Sequence, residues 1–137
     1  MRTKRTPWVI LGGACLGVVC SLQRARAEDV PFEVALRKAQ EATRTEPLKS
    51  YLTGPFGQTF GLHYIEWLNE CNLKTQQNAW NFDLLVTIGA KGEVSDVRFE
   101  PKTPTTECFA VLLKGQAFPP PPKPGLVVPA AITNPDK

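Results

Sequence analysis

The amino-acid sequence predicts an α+β fold. Three observations carry that expectation. Residues 81–100 alternate as a β-hairpin, and the segments before and after it place apolar residues at helical spacing. Residues 125–133 then add a third, mostly apolar strand beyond a proline-rich connector.

In chain order, residues 1–27 read as a secretory signal peptide. Arg2, Lys4 and Arg5 form a positive start, residues 8–20 (WVILGGACLGVVC) are apolar, and Ala25-Arg26-Ala27 offers a small-x-small cleavage site. A membrane span needs about twenty apolar residues, and this run has thirteen. Neither Cys15 nor Cys20 follows the residues that a lipoprotein signal requires. The expected product begins at Glu28 and keeps no membrane span, with an uncleaved anchor as the alternative. Cleavage also changes the charge. The whole chain carries +3 from sixteen basic and thirteen acidic residues, but five basic residues leave with the leader, so the remainder sits at about −2. No basic patch is interleaved with aromatics, so nucleic-acid binding has no support.

Residues 28–47 predict an N-terminal helix. Asp29 can cap it, Pro31 suits its first turn, and Phe32, Leu36, Ala39 and Thr43 form a thin, alanine-rich stripe ended by Pro47. Residues 48–137 form the main domain. Gly54, Pro55, Gly57 and Gly61 break up residues 48–61, which reads as a short helical turn and then a loop. A helix resumes at Leu62, with Ile65 and Leu68 on its buried side and Tyr64 and Trp67 near it. It ends around Cys71, and residues 73–79 lead on as a polar, exposed linker.

In the hairpin, Phe82, Leu84, Val86 and Ile88 alternate with Asn81, Asp83, Leu85 and Thr87. Gly89-Ala90-Lys91-Gly92 supplies the turn. Val97 and Phe99 share a face of the return strand with Ser95 in phase. Val94 falls out of phase, which indicates a bulge near the turn or a residue on the far face. Thr103 can cap the next helix, with Pro104 at its first position and Gly115 at its end. Cys108, Val111 and Leu112 are its expected buried stripe. Phe118 opens a run with four consecutive prolines, which reads as a stiff crossover rather than a ligand for a proline-reading module. Pro129 assigns the last strand to an edge or a bulge, and the last four residues read as frayed.

Cys71 and Cys108 are the cysteines that survive cleavage. In an exported domain they are expected to form a disulfide, closing a loop worth roughly 4 kcal/mol on a chain-entropy account. Chemistry finds little else to stand on. His63 is the single histidine and no Cys-x-x-Cys spacing exists, so neither a metal site nor a cofactor is expected. A nucleophilic pairing of His63 with Cys71 or Cys108 competes with the disulfide, which accounts for both cysteines. There is no phosphate-cradling loop and no nucleophile elbow, and the acidic residues near the hairpin read as its solvent face. The expectation is a protein that is not an enzyme.

The element order resembles the C-terminal domain of TonB/TolA-type periplasmic proteins. The resemblance rests on Gly92-x-Val94 after the turn with Val97 and Phe99 beyond it, on the helix bearing Cys108, and on Phe118-Pro119 before the last strand. It covers roughly residues 62–133. It implies a three-stranded antiparallel sheet with helices packed on one face, in the periplasm of a Gram-negative bacterium. It also implies a partner, another periplasmic or outer-membrane protein, held as an added strand. The edge expected to hold it is the last strand, through Leu126, Val127, Val128, Ala130 and Ile132. Unlike TonB, the chain has no long proline-rich spacer between an anchor and the domain. A small secreted inhibitor or immunity protein of a periplasmic enzyme is the alternative.

Overall fold

A computed structural model describes residues 30–134; the leader, its cleavage site and the Asp29 cap lie outside the described residues. Strand β1 (Phe82–Ile88) is central, flanked by β2 (Val94–Glu100) and β3 (Leu126–Ile132), both antiparallel to it. The period of two puts Phe82, Leu84, Val86 and Ile88 on one face, where all four are buried. On β2 the register slips by one residue at Ser95, so Ile88 pairs with Val94 while Thr87 pairs with Asp96. That bulge turns Val94 onto the buried face beside Val97 and leaves Ser95 exposed. It resolves the phase conflict in the sequence.

The hairpin turn depends on Gly92. Its φ is +88°, and a Cβ there would stand 1.7 Å from the carbonyl oxygen of Phe118. The Phe118 N–H in turn donates to the Gly92 carbonyl at 2.9 Å. The connector is thus laid directly against the turn, and no other residue type fits.

Residues 48–61 are helical, which corrects the expectation of a loop. Helix α2 (Leu48–Tyr51) passes through a π-helical turn (Leu52–Phe56) into α3 (Gly57–Thr75). Pro55 has no N–H to place, and the wider turn accommodates it. At Gly57 a Cβ would meet the Leu52 carbonyl at 2.6 Å, so this glycine lets the wide turn close. The buried side of α3 is Phe60, Trp67, Leu68 and Cys71; Leu62 is 79% exposed and Ile65 lies outside the core as well. The aromatic stripe begins before Leu62, inside the stretch read as loop, and it outcompetes the aliphatic one for the core. The helix also continues past Cys71 to Thr75, where Gln76 ends it in the left-handed region.

Before α3, the N-terminal helix α1 (Phe32–Ala42) follows Pro31. After the hairpin, α4 (Pro104–Lys114) opens on Thr103 in a reciprocal capping box with Thr106. Its buried residues are Thr105, Thr106, Phe109, Ala110 and Leu113. Val111 is 70% exposed, and Cys108 and Leu112 are only partly buried. Phe109 makes edge contacts with Phe60, Trp67 and Phe82, and Phe118 stacks on Phe56 at 4.7 Å. These rings claim the core in place of the expected aliphatic stripe.

Helices α3 and α4 cover the sheet face that carries Leu84 and Val86. Helix α1 contacts β3 and β2. It lies against the other face, where Leu85 is only 2% exposed and Val127 is half-buried. The Arg98 guanidinium on that face lies 5.7 Å from the centre of the Phe32 ring and donates to the Val30 carbonyl at 2.7 Å. Leu85 and Val127 are apolar side chains in the otherwise polar phase of their strands, and burying them is the physical reason for a helix there. At the end of β3, the Asn134 N–H donates to the Asn81 side chain, so this residue is not frayed; the other three residues expected to fray lie outside the described residues.

Candidate interaction edge

Cys71 on α3 and Cys108 on α4 form a disulfide with Cα atoms 5.7 Å apart. The two helix faces that meet above the sheet bring them together, and Cys71 is fully buried. With each sulfur bonded to the other, neither is available as the nucleophile of a Cys/His pair. His63 is exposed and stacks on Trp67 with ring centres 5.5 Å apart. Among the described residues no group of three or more His, Cys, Asp or Glu is placed to hold a metal ion.

A polar cluster that sequence reasoning missed pins the linker between α3 and β1. Thr105 is 0% exposed, and its hydroxyl meets Thr75, Asn72 and Gln77 at 2.7, 3.1 and 3.1 Å. Asn72 also accepts from the Ala79 N–H at 3.0 Å. The linker is therefore tied down rather than free. Its partners stand some thirty residues apart in sequence, which no local pattern reveals.

The sheet has two edges, and they differ. Edge strand β2 is bulged at Ser95 and carries the charged Asp96, Arg98 and Glu100, two of the devices that discourage further strand pairing. Edge strand β3 keeps an unbroken seven-residue register with β1, from Leu126 opposite Ile88 to Ile132 opposite Phe82, and carries no charge. Leu126, Val128 and Ile132 are buried on the core face, Ala130 is partly buried beside them, and Val127 turns to the α1 side. These side chains anchor the strand, so a partner would meet its backbone. Pro129, opposite Leu85, is the single interruption.

What stands here is a disulfide-stapled α+β domain with one sheet edge bulged and charged and the other regular and uncharged, interrupted only by Pro129. Compared with protein-family models, with curated proteins and with solved structures, the chain finds no match.

Proposed function

We propose that this protein is a non-catalytic interaction module of the bacterial cell envelope, holding an extended segment of a periplasmic or outer-membrane protein by strand addition along β3. The observation that carries the reading is the contrast between the edges: β3 is in unbroken register and uncharged, while β2 is bulged and charged. An unpaired edge offers a row of backbone donors and acceptors, and main-chain hydrogen bonds to an added strand supply affinity. The Cys71–Cys108 bridge suits an oxidising compartment. The basic-apolar-small leader and the TonB/TolA-like order of elements support export to the periplasm.

The edges can be tested separately. A photo-crosslinking residue at Ala131, exposed on β3, should trap the partner, and the same residue at Ser95, exposed on β2, should not. Ala131→Lys should then weaken capture while leaving thermal unfolding unchanged. Crosslinks from Ser95 or from Lys91 at the hairpin turn, with none from Ala131, would sink the reading. The Lys91 outcome would favour an inhibitor that acts through its turn.

A further inference from the structure

We infer a ligand site between α1 and the outer face of the sheet that takes a single-chain amphiphile with an anionic head, specifically a medium-chain carboxylate. A groove of about 320 Å³ lies there, a volume within the range of small-molecule sites. Its floor is half-buried Val127 beside the nearly buried Leu85, and its opposite wall is the stripe of Ala35, Ala39 and Ala42 on α1, of which Ala42 is exposed. Where α1 presents alanine methyl groups to these two residues, room is left beside it. Larger residues at those three positions would have closed the gap, as Leu68 and Leu113 do on the core face.

The rim gives the groove its sign. Lys38, Lys123 and Arg98 border it against one carboxylate, Asp96. Arg98 already serves the Val30 carbonyl and the Phe32 ring. Lys38 and Lys123 are exposed, and neither forms an ion pair among the described residues. An apolar slot with two such ammonium groups at its mouth complements a hydrocarbon tail ending in a negative head. Lysine stems lengthen the apolar wall while their ammonium groups stay in water. The groove shares Val127 with β3 but lies on the outer face of the sheet rather than along the strand's unpaired edge.

Decanoate below its micellar concentration is the probe, titrated calorimetrically into purified protein expressed from the full sequence. Binding should shift the methyl resonances of Leu85, Val127 and Ala39, and decanol and butyrate should each bind more weakly than decanoate. Lys38→Glu with Lys123→Glu alters only exposed positions and should weaken decanoate roughly tenfold without moving the thermal transition. Ala39→Leu, which fills the slot, should abolish binding. If that variant fails to fold, the charge reversals still decide. Decanoate affinity unchanged by the double reversal would overturn the inference, as would binding to phosphatidylglycerol vesicles without binding to monomeric decanoate. Contacts from residues preceding Val30 to Leu85, with no uptake of decanoate, would assign the groove to the chain's own N-terminal segment and overturn it too.

Discussion

The two edge strands differ in how they are entered as much as in what they display. Strand β2 follows a tight turn through Gly92, is bulged one residue later than its start, and carries charges of both signs. Strand β3 follows a long proline connector through Gly125 and then runs without irregularity. Both entrance glycines have positive φ, but their surroundings are opposite. Gly92 is pressed against Phe118, whereas nothing stands within 4 Å of a Cβ at Gly125. One edge is locked by packing at its entrance and blunted by charge, while the other is held by its ladder to β1 and by Leu126, Val128 and Ile132 in the core.

That contrast can be broken most sharply at the glycines. Gly92→Ala should cost about 3 kcal/mol, combining left-handed strain with a collision against backbone that cannot yield. Urea unfolding would measure it, and a loss below ~1 kcal/mol would mean that the turn is not locked. Gly125→Ala should cost only about 1 kcal/mol, because strain acts there without a clash.

Arg98→Ala should cost roughly 0.5–1 kcal/mol by removing the ring contact to Phe32 and the bond to Val30. Amide exchange should accelerate in the first turn of α1 more than in β3. Equal acceleration in both would show that α1 does not depend on this contact. Pro129→Val should change stability by a few tenths of a kcal/mol at most, since the residue lies on an edge. Its effect should be on association: the restored N–H completes the row of donors, and sedimentation should reveal self-pairing that the parent lacks. An unchanged monomer–dimer balance would mean that Pro129 is not what keeps this edge closed to copies of itself.

The smallest expected effect is confined to alkaline pH. Burial raises the hydroxyl pKa of Tyr51 above its ordinary value of 10.0, and this hydroxyl donates to the Pro119 carbonyl at 2.8 Å. The folded state therefore holds its proton more tightly than the unfolded state does. Stability from this group is complete below pH 10 and is lost as pH rises past it. Tyr51→Phe should flatten that part of the stability profile, and an unaltered profile would remove Tyr51 as its source.

Several of these features are legible from sequence because their signals are local. The hairpin follows from period-two alternation, the start of α4 from Thr103-Pro104, and the disulfide from two cysteines in a chain read as exported. Pro129 marks β3 as an edge, a position the structure bears out. The helix through Pro55 is not legible, because Gly54, Pro55 and Gly57 are individually breakers and only a wide turn reconciles them. The buried faces of α3 and α4 are misread for a related reason: once residues 56–60 join the helix, Phe56 and Phe60 redirect the core toward Phe109 and Phe118. Leu85 did carry a readable hint. An apolar residue in the polar phase of β1 calls for a cover on the outer face, and the thin stripe of α1 is what supplies it. The burial of Thr105 leaves no trace in sequence, because its satisfaction comes from residues on another helix.

The disulfide also dictates how the molecule would respond to being pulled by its ends. Cys71 and Cys108 are separated by 37 positions, and both β1 and β2 lie within that interval while β3 lies beyond it. Tension applied to the termini runs through α3, across the sulfur–sulfur bond and out along α4, bypassing the hairpin. Only β3, α1 and the helical arms can be extended while the bridge is intact. Reduction would release the sheltered interval and add roughly 120 Å of contour length. In a force spectrometer this would mark the boundary between the part of the sheet that can be lengthened while the bridge holds and the part that cannot.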